Sequence, residues 1–210
     1  MIRWTLAVLC LLVSSAQAQT PKRTGETRTS GTSRSSPTNA KQTWMIDTAQ
    51  SKLTFNLRHL LGRAEGQFDV WSGSLTLASD HWDSAAVDVT IQASSINTDN
   101  EERDNHLRSD DFFDAEKYPE ITFKSSSVKR KGDSITVAGN LTMKGVTKPV
   151  VLKGKLTKTT PGQTPRMSFQ ATTTINRMDY GVSYNRVLES GTLLGDEVTI
   201  VATIVAALKQ

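Results

Sequence analysis

The stretch Thr98–Phe123, TDNEERDNHLRSDDFFDAEKYPEITF, interrupts a chain that otherwise alternates apolar and polar residues. It reads as a helix and the turn that ends it. Asp99 and Glu102 have capping-box spacing, in which the first side chain accepts an orphan backbone N–H and the second reaches back to the cap; Thr98 and Glu101 offer the same pairing one residue earlier. Arg103, His106, Leu107 and Asp110 fall at i, i+3, i+4 and i+7 and so share a face, while Asp104 and Arg108 are spaced to pair at i, i+4. Pro119 stops any helix by Tyr118, because its ring disfavours helical backbone in the residue before it. One short helix carrying an Arg, a His and the adjacent Phe112 and Phe113, set among strands, is suited to closing one end of a barrel.

Outward from that stretch the strand pattern is strong. Leu53, Phe55 and Leu57 alternate with Lys52, Thr54, Asn56 and Arg58, the two-residue period of a sheet with one wet face, and His59 continues the apolar row. Further rows follow at Phe68 and Val70, Leu75 and Leu77, Val87 to Ile91, Ile121 and Phe123, Ile135 to Met143, Val150 and Leu152, Met167 to Ile175, and Val198 to Ala206. The short Gly, Pro and Asp turns between them suit antiparallel hairpins, not parallel crossovers. Eight or nine strands result. The triplet Gly-x-Leu-Thr occurs at Gly73, Gly139 and Gly154 at unequal intervals, which marks shared strand chemistry and not a repeat. Eight such strands can close on themselves, removing exposed edges and leaving room for one small ligand. The expected fold is all-β, an antiparallel eight-stranded barrel with one short capping helix. Gly139, Ala171, Thr173, Ala202 and Ala206 are small where a solid core would prefer Leu or Phe, and that favours a hollow interior.

The amino-terminal residues set a different expectation. Arg3 precedes an apolar run from Trp4 to Val13, too short to span a bilayer, and Ala16-Gln17-Ala18 has the small-x-small pattern of a cleavage site. Residues 1–18 read as a signal peptide, which places the mature chain in the periplasm or outside the cell. Its removal takes away Cys10, the single cysteine, and with it any disulfide or thiolate chemistry. Residues 19–43 are rich in Ser, Thr, Gly and Arg and cannot bury enough surface to offset ordering; they read as a disordered linker. Residues 44–210 are the folded barrel. The net charge of +4 resides in the linker, since from Trp44 onward 19 Lys and Arg face 20 Asp and Glu. No concentrated basic face exists to release counterions from phosphates, so nucleic acid is excluded as a partner, and the linker offers at most weak contact with an anionic membrane surface.

Several blocks together resemble one family. Thr98 with Arg103-Asp104-x-His106-Leu107-Arg108, Asp111-Phe112-Phe113-Asp114 and Tyr118-Pro119-x-Ile121-x-Phe123 form the first. Gly139-x-Leu141-Thr142-x-x-Gly145-Val146-Thr147-x-Pro149 is the second, and Arg177-Met178-Asp179-Tyr180-Gly181 with Gly195-Asp196-Glu197-Val198 the third. In this order, over Trp44 to Leu208, they resemble the YceI-like family of polyisoprenoid-binding proteins. The resemblance implies an exported lipocalin-like barrel around a long apolar tunnel that takes a polyisoprenoid or similar amphiphile, in a protein that is often a homodimer.

An amphiphile requires an apolar sleeve and a few polar groups. Phe55, Leu57, Ile121, Phe123, Leu141, Phe169 and Ile175 supply the sleeve for the tail, although the same rows would equally pack a solid core. For the head group, His59 ends an apolar strand row and Arg103 and His106 share a helix face, so the three can meet at the tunnel mouth; Arg177 and Tyr180 sit where another strand ends. An Arg there would bind a pyrophosphate bidentately and a His would hydrogen-bond a quinone carbonyl. The other reading of Arg103 is an ion pair to Asp110 or Glu102 that ties the helix to the barrel. His59, His81 and His106 lack the i, i+4 spacing of a helical zinc site, and no Gly-x-Ser-x-Gly elbow is present, so neither a metal nor catalytic residues are expected. The expected function is a non-catalytic carrier that transports or sequesters a long-chain isoprenoid lipid or isoprenoid quinone, with no cofactor beyond that ligand. Fatty acid or fatty amide cargo in the same tunnel is the alternative. An enzyme of isoprenoid metabolism and an adhesive module with a solid core stand behind it.

Overall fold

The computed structural model describes residues 41–59, 62–78, 81–185, 187–188, 191–192 and 194–209; residues 1–40, which hold the expected signal peptide and most of the expected linker, lie outside them. Alternating burial becomes strand almost throughout. In chain order these are β1 (Lys41–Ile46), β2 (Lys52–His59), β3 (Gly62–Phe68), β4 (Trp71–Ala78), β5 (His81–Gln92) and β6 (Ile96–Asn97). After the helix α1 (Glu101–Arg108) come β7 (Glu120–Lys131), β8 (Ser134–Met143), β9 (Val146–Thr160) and β10 (Arg166–Asn176). The small hairpin of β11 (Val187–Leu188) and β12 (Gly191–Thr192) precedes the long β13 (Leu194–Leu208). Strand begins at Lys41, inside the segment expected as linker to residue 43, because Lys41, Gln42 and Thr43 already pair with Ala78, Leu77 and Thr76.

Six of these segments act as three bent strands. A 3-10 turn at Thr48–Gln50 separates β1 from β2, and another at Ala93–Ser95 separates β5 from β6. The breaks coincide: β1 pairs with β4 while β2 pairs with β3, and β4 pairs with β5 while β3 pairs with β6. The bent pairs then join β7, β8, β9, β10 and β13 in order, each antiparallel to the last. β13 closes the ring onto β2 and β1. The result is an eight-stranded antiparallel barrel whose strands follow one another around the wall.

Two apolar clusters fill its ends. Trp44, Leu77, Trp82, Val128, Ile135 and Met167 pack at the end where β1 starts and β13 finishes. Phe112, Met143, Tyr180 and Val182 belong to the cluster at the helix end, with Leu107 of α1 packed against it.

The helix sits where the sequence places it but is capped differently. Asn100, not Asp99 or Thr98, is the cap: its side chain accepts the Arg103 N–H at 2.9 Å. Asp99 has φ 58°, the left-handed region that Asn and Asp tolerate, and this turn moves the cap one residue on. Asp104 and Arg108 do not pair. Asp104 is buried and accepts from the Thr98 N–H at 2.9 Å and hydroxyl at 2.5 Å, while Arg108 donates to the carbonyls of Ser94 and Ile96 and to Asn105. Both charges are spent fastening the helix to the segment before it.

Candidate functional site

The inward rows enclose a cavity of about 560 Å³, within the range of small-molecule sites. Phe55, Leu57, Ile121, Phe123, Leu141, Phe169 and Ile175, the seven expected sleeve residues, all line it. The register explains why they meet. Val89, Phe123 and Leu141 lie opposite one another on β5, β7 and β8, Phe55 lies opposite Ile200, and Ile175 opposite Val198. Cross-strand partners share a face, so one inward row brings in the next.

The small residues divide. Ala171, Thr173, Ala202 and Ala206 border the cavity, as a hollow interior requires. Gly139 does not. A Cβ there would stand 2.6 Å from the Phe123 ring and 2.5 Å from the Lys124 carbonyl, so the missing side chain is the seat of Phe123 and opens no space. Trp71, Trp82, Phe113 and Tyr184 also line the cavity, and sequence reasoning passed over them as wall. Trp71 begins the row of Gly73, Leu75 and Leu77, a signal that was there to read; Trp82 is out of phase with Val87, Val89 and Ile91, across a shift in the β4–β5 register, and Tyr184 lies in irregular chain with no period to betray it.

His59, Arg103, His106 and Arg177 reach the cavity from its helix end; Tyr180 does not line it. The expected pairing of Arg103 with Asp110 or Glu102 is replaced by two bonds to Thr98, from Nε to the hydroxyl at 2.7 Å and from Nη2 to the carbonyl at 2.6 Å. Thr98 thus joins Arg103 to Asp104. His106 lies 2.9 Å through Nε2 from Asp111 Oδ2 and meets the rings of Phe112 and Tyr184 edge-on at 5.0 and 4.8 Å. Arg177 is only 4% exposed. Its guanidinium donates to the carbonyls of Gly195 at 2.9 Å, Val182 at 2.6 Å and Tyr184 at 2.9 Å, and to Asp196 at 3.4 Å. Burial lowers its pKa and the Asp196 charge opposes the fall, but a guanidinium stays protonated throughout the working range. Arg177 is therefore a brace for the chain from Val182 to Asp196, with its donors directed at backbone.

Tyr180 lies in the 3-10 turn Arg177–Tyr180, 2% exposed, and its hydroxyl has no hydrogen-bond partner. Burial pushes its phenol above the ordinary tyrosine range, and the neighbouring Asp179 charge pushes the same way. Among the described residues no group of three His, Cys, Asp or Glu side chains is placed to hold a metal ion.

Fold and site together define a class: antiparallel eight-stranded barrels that enclose an apolar chamber beneath a short helix. Within that class, residues 44–206 match the YceI-like domain, and the chain belongs to the YceI-like family. A UPF0312 protein of Pseudomonas aeruginosa is 39% identical over 135 residues, 62% of this chain and 70% of that protein. BcnA of Burkholderia cenocepacia superposes with a TM-score of 0.67 at 25% identity, covering 76% of this chain and 98% of that one. A polyisoprenoid binding domain from Saccharophagus degradans, implicated in plant cell wall breakdown, superposes with a TM-score of 0.60 at 20% identity over 79% of this chain and 98% of that one, a likeness of fold alone.

Proposed function

We propose that this protein is an exported carrier that binds a long-chain polyisoprenoid lipid or isoprenoid quinone in its barrel and does no chemistry on it. The observation that carries the reading is the cavity: about 560 Å³ walled almost wholly by hydrocarbon, with aromatic side chains from Trp71, Phe55 and Phe123 along it. Burial of hydrocarbon contributes about 0.8 kcal/mol per CH2, so an isoprenoid tail supplies ample affinity without a strong head-group contact. The non-catalytic reading is supported by the bonding of the polar side chains at the helix end, where Arg103 and Arg177 donate mainly to backbone and Thr98. A solved domain named for polyisoprenoid binding shares the fold and supports the same reading. Export rests on the amino-terminal apolar run and its Ala16-Gln17-Ala18 site.

Purification from the native host, organic extraction and mass spectrometry test this directly. The expected extract holds close to one isoprenoid lipid or quinone per chain. A fatty acid or fatty amide at that stoichiometry would replace the isoprenoid assignment, and protein reproducibly free of lipid would remove the carrier reading altogether.

A further inference from the structure

The barrel wall is not laddered all the way along. β9 and β10 pair from Thr160 opposite Arg166 to Lys153 opposite Thr172, and there the pairing stops. Beyond that point β9 continues to Val146 against β8 alone, and β10 continues to Asn176 against β13 alone. Two features accompany the divergence. The register shifts at Ser168 and Phe169, an irregularity of the kind that bends and twists a strand, and Pro149 brings no N–H to a ladder. Two edges therefore face one another across a seam near the helix end.

A groove of about 680 Å³ follows the seam. Val150, Thr173 and Ile175 line both this groove and the inner cavity, so at that height side chains separate the two and no backbone ladder does. The groove has its own polar groups. Lys148 lies opposite Leu141 and so continues the inward row of Val89, Phe123 and Leu141, between Val146 and Val150, which both pack against the core. A lysine in an apolar row is out of place in a closed wall. Here its side chain is exposed, and with Lys153 and Asp179 it supplies the charges that line the groove. Neither lysine makes a hydrogen bond or ion pair with any described residue, in contrast to the arginines at the cavity's helix end. Tyr180 also lines the groove, buried and with its hydroxyl unpartnered.

We propose that the β9–β10 seam seats the head group of the cargo and that this head is anionic, a phosphate or carboxylate held by Lys148 in a groove that Lys153, further along β9, also makes positive, with the chain passing between Val150 and Thr173 into the barrel. Two lysines against Asp179 leave the groove net positive. The inference rests on the carrier reading above and adds to it the chemistry of the ligand and the place where it projects.

Calorimetric titration of lipid-stripped full-length protein with three probes that share one tail tests it: geranylgeraniol, geranylgeranyl monophosphate and geranylgeranoic acid. At least one anionic probe is expected to bind tenfold or more tightly than the alcohol, and which one does so separates phosphate from carboxylate. The Lys148→Gln/Lys153→Gln variant is expected to erase that advantage while holding geranylgeraniol within twofold of wild type, which also certifies its fold. Equal affinity of the three probes for wild type, or an equal loss for all three in the variant, overturns the head-group site and leaves the carrier intact. Failure of all three to bind wild type overturns the carrier and the head-group site with it.

Discussion

Two residues of one 3-10 turn show how differently buried polar groups are used. Arg177 has three backbone carbonyls and Asp196 around its guanidinium, and truncation would strand those carbonyls in an apolar setting. Arg177→Met is expected to cost about 3 kcal/mol or more, read as a lower urea midpoint, because breaking a buried charged network leaves its partners unsatisfied. Asp196→Asn is expected to cost under about 1 kcal/mol, since that carboxylate is 55% exposed and its attraction is screened. Tyr180 is the opposite case. Its hydroxyl makes no bond, so Tyr180→Phe is expected to leave stability at pH 7 unchanged or slightly higher. The pH dependence has a definite sign. The folded phenol holds its proton to higher pH than the unfolded chain, whose tyrosines titrate at 10.0, so the unfolded state alone loses the proton first and is favoured above that value. Tyr180's contribution is therefore complete below pH 10 and declines as pH rises toward the folded pKa. The variant lacks this decline, and its stability advantage over wild type should widen on raising the pH from 9 to 11, measured by denaturant titration.

Among the elements, α1 is the most locally specified and the most tertiary in its fastening. Asn100→Ala removes the cap and is expected to cost about 1 kcal/mol, seen as faster amide exchange over residues 101–108. Asp104→Ala should cost more, about 2 kcal/mol, because it strips both the N–H and the hydroxyl of Thr98 of their acceptor and frees the helix from the strand before it. A Thr98→Val exchange should reproduce part of that loss. These bonds mark the boundary of what the sequence makes legible. The position of the helix shows as a break in period, and the inward rows show because a two-residue period is a burial pattern; the seven sleeve residues follow from those rows. The cap was hidden because Asp99 adopts a left-handed backbone that no spacing rule announces. The fate of Arg103, Asp104 and Arg108 was hidden because i, i+4 spacing describes an isolated helix, whereas their partners are Thr98, Ser94 and Ile96 on the approaching chain. The seam was out of reach for a further reason. Whether β9 and β10 stay paired depends on a register between distant strands, and Lys148 reads as one surface lysine among many until that register places it beside Leu141.

At the scale of the molecule the hollow interior sets the energetics. Cavities cut into protein cores cost about 24 cal/mol per Å³, at which rate about 560 Å³ held unfilled would forgo about 13 kcal/mol, as much as the whole stability of a typical domain. A barrel shaped around this volume either offsets the loss through its backbone ladders and its two packed ends or receives hydrocarbon to make the missing contacts. On the carrier reading proposed above both operate, and they separate experimentally. The end clusters and the ladder hold the fold without cargo, so stripped protein is expected to melt cooperatively; cargo adds contacts in the native state alone, so loaded protein should melt higher by several degrees, following the linkage of ligand binding to folding. Filling part of the cavity from the wall tests the same balance from inside. Ala171 borders the cavity on β10 opposite Ala202 on β13, and Ala171→Leu projects added hydrocarbon into the space the tail would take. The expected outcome is a stripped variant at least as stable as stripped wild type, a smaller rise in melting temperature on loading, and less lipid retained by mass spectrometry. A variant that loses stability without losing lipid would mean that the wall at Ala171 is already packed and that the tail runs elsewhere in the barrel.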